Sequence, residues 1–76
     1  MKEREWRREF AHKLMAMMKE RGLSQGELAR RSGLAVSTIN AYLSQYRTPN
    51  VRGVINIAYA LGWDVSELID FGGPIR

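Results

Sequence analysis

The side chains able to do chemistry in this chain are guanidinium forks, carboxamides and hydroxyls, and they fall into a pattern. From Ser32 to Tyr46 there is no charged side chain. Within that stretch Ser37, Thr38, Asn40 and Ser44 each carry a group that both donates and accepts hydrogen bonds. Around it stand Arg30, Arg31, Arg47 and Arg52, whose planar forks match phosphate oxygens. Catalytic chemistry is poorly supplied. The chain has no cysteine and one histidine, which excludes disulfides and thiolate nucleophiles and argues against a zinc site. Ser, His and Asp all occur, but without a constellation. The acids fall at caps and on outer helix faces, with no apolar setting that would raise a pKa for acid–base work. No phosphate-binding glycine loop follows a strand. Neither an enzyme nor a cofactor is expected. His12 is expected to be exposed and without a role. Met15, Met17 and Met18 are expected to pack, with Met17 in the core.

Seventy-six residues, 45% of them hydrophobic and 26% charged, suit one globular domain. A chain of this length buries only about 60% of the surface it exposes unfolded, so its core is small. Net charge is +4, and nine of the twelve basic residues are Arg. Residues 1–23 carry seven bases against four acids, and residues 24–52 carry four against one. Residues 53–76 carry one base against three acids. A basic front with an acidic rear suits a module that lays one side on a polyanion. No apolar run approaches the ~20 residues of a membrane helix, so no membrane partner is expected. The charged start lacks the apolar stretch of a signal peptide. A cytoplasmic location is the expectation.

The elements that must position these groups read as five helices and no strand. Trp6, Phe10, Leu14 and Met17 or Met18 recur every three or four residues, which predicts an amphipathic helix over about residues 4–21, ended by Gly22. Ser24 with Glu27 is a capping pattern that opens a second helix, stopped by Gly33 near Ser32. Leu28 and Ala29 face inward. A third helix follows from about Val36 to Ser44, with Ile39, Tyr42 and Leu43 turned to the core. Asn50 caps a fourth helix whose apolar pattern is Val51, Val54, Ile55, Ala58 and Leu61, closed by Gly62. Asp64 with Glu67 opens a short fifth helix through about Ile69. The domain is expected to span residues 10–70, with residues 1–9 a charged extension of helix one and residues 71–76 a tail. Trp6 is expected to cap the core.

Only Gly33-Leu34-Ala35 separates the second helix from the third. So short a turn forces a large interhelical angle, and Gly33 supplies the positive φ that other residues resist. Small Ala29 permits close approach, and Leu34 and Ile39 plug the wedge. This is a helix-turn-helix, whose second helix lies in the DNA major groove.

The stretches Gly22-Leu23-Ser24-Gln25-Gly26-Glu27-Leu28-Ala29, Ser32-Gly33-Leu34, Ser37-Thr38-Ile39, Arg47-Thr48-Pro49-Asn50, Ile57 to Gly62 and Val65-Ser66-Glu67-Leu68 resemble the lambda-repressor and Cro type of helix-turn-helix regulator, the XRE family. The resemblance covers about residues 10–70. It implies an all-α, compact five-helix lambda-repressor-like domain that binds operator DNA, usually as a dimer. It implies that Gln25 hydrogen-bonds a phosphate and braces the recognition helix. Ala35, Val36, Ser37, Thr38, Asn40, Ala41 and Ser44 would face the groove, and Tyr46, Arg47 and Thr48 would meet the backbone. Three departures stand out: Ala35 replaces the usual Ser or Thr cap of helix three, Gln45 sits where the family often has Gly, and the leader with Trp6 lengthens helix one.

An uncharged reading helix cannot place Arg or Lys on guanine, the commonest specific contact. Asn40 can pair with adenine, Val36 and Ala41 can pack on a thymine methyl, and Ser37, Thr38 and Ser44 can bond either edge, so A·T-rich readout is expected. Arg30, Arg31, Arg47 and Arg52 are the phosphate candidates. The expected protein is a transcriptional repressor acting by operator occlusion as a homodimer, with Trp63, Ile69, Phe71 and Ile75 as exposed apolar candidates for the dimer surface. The alternatives are an antitoxin that also binds a toxin protein, and an interaction module that has lost DNA binding.

Overall fold

The computed structural model describes residues 3–63. They form four helices and no strand: α1 (Glu3–Arg21), α2 (Gln25–Ser32), α3 (Val36–Leu43) and α4 (Val51–Leu61). The fifth helix and the tail expected beyond Trp63 lie outside the described residues, and so do Ile69, Phe71 and Ile75.

The helix ends follow from local chemistry. Ser24 Oγ accepts from Glu27 N at 3.1 Å and Asn50 Oδ1 from Gly53 N at 2.7 Å, satisfying amides that a helix start leaves without carbonyl partners. At the other ends, α1 and α4 close in the same way. Leu23 N reaches back to Met18 O at 2.9 Å and Trp63 N to Ala58 O at 2.7 Å. Both closures require a left-handed residue, supplied by Gly22 at φ 64° and Gly62 at φ 66°.

Helix α1 buries Trp6, Phe10, Leu14 and Met18, spaced by four, together with Ala11. A row spaced by four slants across a helix, which suits a helix crossing its neighbours at an angle. That slant corrects one expectation: Met18 rather than Met17 enters the core, and Met17 packs at its edge, its Sδ accepting from Arg21 Nη1 at 3.4 Å. Helix α4 corrects another. It buries Val54, Ile57, Ala58 and Leu61, whereas Val51 and Ile55 are exposed and continue to exposed Tyr59. Apolar residues nearly encircle α4, so its pattern could not choose a face; packing against α2 does. Helix α2 also packs on α3, and α3 on α1.

The leader belongs to the core. Trp6 is fully buried and stacks on Phe10 at 5.3 Å between ring centroids, and Phe10 stacks on Trp63 at 6.4 Å. Lys13 Nζ lies 5.6 Å from the Trp63 ring centroid, within cation–π range. Trp63 is therefore not an exposed candidate for a dimer surface. The Gly62 turn brings the ring inward onto Phe10, where burial of its large apolar face is most favourable.

Candidate nucleic-acid interface

Gly33, at φ 75°, closes α2 through a bond from its amide to Ala29 O at 2.9 Å. Only Leu34 and Ala35 intervene before α3 begins at Val36. Ser32, which is buried, reinforces the turn: its hydroxyl donates to Ala29 O at 3.3 Å and accepts from Leu34 N at 3.3 Å. Leu34 and Ala29 pack in the core cluster with fully buried Ile39, so the wedge between α2 and α3 is filled as expected.

Helix α3 is anchored by two side chains. Ile39 is fully buried and Tyr42 is nearly so. The Tyr42 ring meets Phe10 edge-on at 6.3 Å, tying α3 to α1. Its hydroxyl reaches the start of α4, where a Cβ on Gly53 would lie 2.6 Å from Tyr42 Oη. Glycine at 53 is thus required by close approach and not by its φ. At about 100° per residue, Val36, Ser37, Asn40, Ala41 and Ser44 share the face opposite Ile39. Val36, Ser37, Asn40 and Ser44 are exposed and Ala41 is half-buried. Ala35 is exposed at the helix start, and half-buried Thr38 flanks the face. None of these residues is buried.

Two side-chain contacts fix the surroundings of this face. Asn40 Nδ2 donates to Gln25 Oε1 at 3.4 Å, a long bond that joins the start of α2 to the middle of α3. One Nδ2 hydrogen and the Oδ1 of Asn40 are not used in that bond, which leaves the pair of groups that adenine would need. Ser44 Oγ donates to its own helix, at 3.3 Å from Ala41 O.

Beyond α3, Tyr46 N bonds Ala41 O at 2.9 Å and Gln45 N bonds Tyr42 O at 3.2 Å, the same closure that Gly22 and Gly62 make elsewhere. Here the left-handed residue is Gln45, at φ 66°, the one non-glycine with positive φ among the described residues. Tyr46 and Arg47 project into solvent and Thr48 is half-buried over buried Pro49. Arg30 and Arg31 are exposed in the last turn of α2 and Arg52 in the first turn of α4. None of these four arginines makes an ion pair among the described residues.

One participant was not found by sequence reasoning. Thr48 Oγ1 donates to Glu3 Oε2 at 2.5 Å, across 45 residues. No local signal marks such a contact, because only the path of α1 past the end of α3 creates it. Among the described residues no three His, Asp or Glu side chains gather as metal ligands, and no helix is long and apolar enough to cross a membrane.

A helix-turn-helix family model matches residues 14–68, most of the chain and the whole α2–α3 unit. The chain belongs to the Cro and lambda-repressor type of helix-turn-helix regulators, the XRE family. No curated protein and no solved structure matches it. As a member of this family the protein is a DNA-binding regulator. The matched segment begins at Leu14, so Glu3, Trp6 and Phe10 lie ahead of it.

Proposed function

We propose that the protein is a transcriptional repressor of the cytoplasm that occludes a promoter by binding a palindromic operator as a homodimer. The observation that carries the DNA contact is the uncharged, exposed face of Val36, Ser37, Asn40, Ala41 and Ser44, held out by buried Ile39 and Tyr42. In this reading Asn40, oriented by Gln25, pairs with adenine. Val36 and Ala41 contact thymine methyls, and Ser37, Thr38 and Ser44 bond base edges. Ala35 lies against the groove at the helix start. Gln25, Arg30, Arg31, Tyr46, Arg47, Thr48 and Arg52 hold the phosphates and fix register. Two-fold symmetry sets the half-sites about one helical turn apart. With Trp63 in the core, the dimer surface falls to the chain beyond it, at Ile69, Phe71 and Ile75.

The test is selection of duplexes from a randomised pool, followed by anisotropy titration of the selected site across salt concentration. The expected site is A·T-rich beneath α3. If the dimer neutralises about six phosphates, log K falls against log salt with a slope of roughly −5. Failure to enrich any duplex, or a salt-independent affinity, overturns the reading. Strictly required guanines under α3 overturn the Asn40 assignment alone. Sedimentation of Phe71→Glu as an unchanged dimer at micromolar concentration overturns the dimer surface.

A further inference from the structure

The bond between Glu3 and Thr48 sets a carboxylate where the proposed function needs a phosphate. Thr48 has a single O–H to donate, and at 2.5 Å that proton is committed to Glu3 Oε2. The length is that of a charge-assisted hydroxyl–carboxylate bond, about twice as strong as a neutral one. Glu3 is also favoured where it stands, because it lies in the first turn of α1, where the helix dipole attracts negative charge. It makes no ion pair with any base among the described residues. The preceding residue of that loop is Arg47, which is exposed. A DNA backbone approaching Arg47 and Thr48 must therefore detach the carboxylate and move it aside.

We infer that Glu3 is an internal phosphate mimic, which occupies the Thr48 hydroxyl in the free protein and must be displaced by the DNA backbone, weakening DNA binding. The inference rests on the DNA-contact reading of Thr48 and Arg47. It assigns the leader a function of its own: lowering affinity, so that occupancy of an operator responds to protein concentration over a higher range. The mechanism is competition between two anions for one donor, reinforced by repulsion between the carboxylate and the incoming phosphate.

A simple structural clamp makes the opposite prediction, and two substitutions separate them. Glu3→Gln keeps an acceptor for Thr48 and removes the charge, whereas Glu3→Ala removes both. Each is titrated, beside the unaltered chain, against a duplex that the unaltered chain selected from a random pool, and circular dichroism confirms that both remain folded. The competition predicts that both bind about three- to tenfold tighter at low ionic strength, with the gain shrinking in high salt as exposed charges are screened. Thr48→Val adds a coupling test: it costs more affinity in the Glu3→Ala background, where the hydroxyl is released for phosphate, than in the unaltered chain. Unchanged binding by Glu3→Gln with weaker binding by Glu3→Ala identifies a clamp and overturns the inference while sparing the DNA reading. Additive effects of Glu3→Ala and Thr48→Val overturn it also. If the unaltered chain selects no duplex, the DNA reading fails and this inference fails with it.

Discussion

Helices α3 and α4 are neighbours built on opposite rules. Helix α4 is well terminated at both ends, with the Asn50 side chain on the Gly53 amide and Gly62 in the left-handed turn. Helix α3 has neither advantage. Ala35 offers no side-chain cap, and the left-handed turn after the helix is made by Gln45, whose Cβ is strained at φ 66°. Eight residues are too few to be helical alone in water. What holds α3 is its two buried residues, Ile39 in the wedge against α2 and Tyr42 between Phe10 and Gly53. The helix that carries the candidate interface is therefore kept in shape from beneath. Its upper face is free to be chosen for contact with a partner.

If packing and not termination holds α3, removing a packing contact must cost several times what repairing an end returns. The largest effect is expected from Ile39→Ala, at about 2–5 kcal/mol of unfolding free energy by urea denaturation. A loss under 1 kcal/mol, on the order of an exposed-site change, would place the support of α3 elsewhere. Gly53→Ala comes next. Alanine is a better helix former than glycine by about 1 kcal/mol, but its methyl would meet a buried, rigid tyrosine ring at 2.6 Å from Oη. Overpacking is expected to win by about 1–3 kcal/mol, and Tyr42→Phe in the same background should return part of the loss. Gln45→Gly should raise stability by about 1 kcal/mol, since a left-handed non-glycine residue costs about 1–2 kcal/mol. In calorimetry that is a rise of about 4–8 °C in melting temperature for a domain of this size. The smallest gain is expected from Ala35→Ser, about 0.5–1 kcal/mol, from a cap on the amides of the first turn of α3. Were both end repairs to exceed the Ile39→Ala loss, the comparison between α3 and α4 would be reversed.

The departures at Ala35 and Gln45 were visible as residue types, and the structure gives them physical content. Ala35 begins α3 with extended backbone and no side-chain bond. Gln45 takes the left-handed conformation that glycine would have taken without strain. The opposite outcome holds at Met17, Val51, Ile55 and Trp63, where the sequence pointed to the wrong environment. Each lies in a segment with apolar residues on more than one side, and only a neighbour can decide which side is covered. Trp63 follows a glycine turn whose direction places it on Phe10 and beneath Lys13.

Sequence alone determined what is local: four described helices with their boundaries, the Ser24 and Asn50 caps, the glycine turns at 22, 33 and 62, and a third helix without charge. These follow from hydrogen bonds and dihedral preferences that reach no more than a few residues along the chain. Tertiary structure decided what depends on approach between distant segments. It chose Met18 over Met17, buried Trp6 and Trp63 around Phe10, and set Tyr42 against Gly53. It also carried Glu3 across 45 residues to the hydroxyl of Thr48. Such contacts depend on the angles at which helices cross, and no periodicity within a single helix encodes those angles.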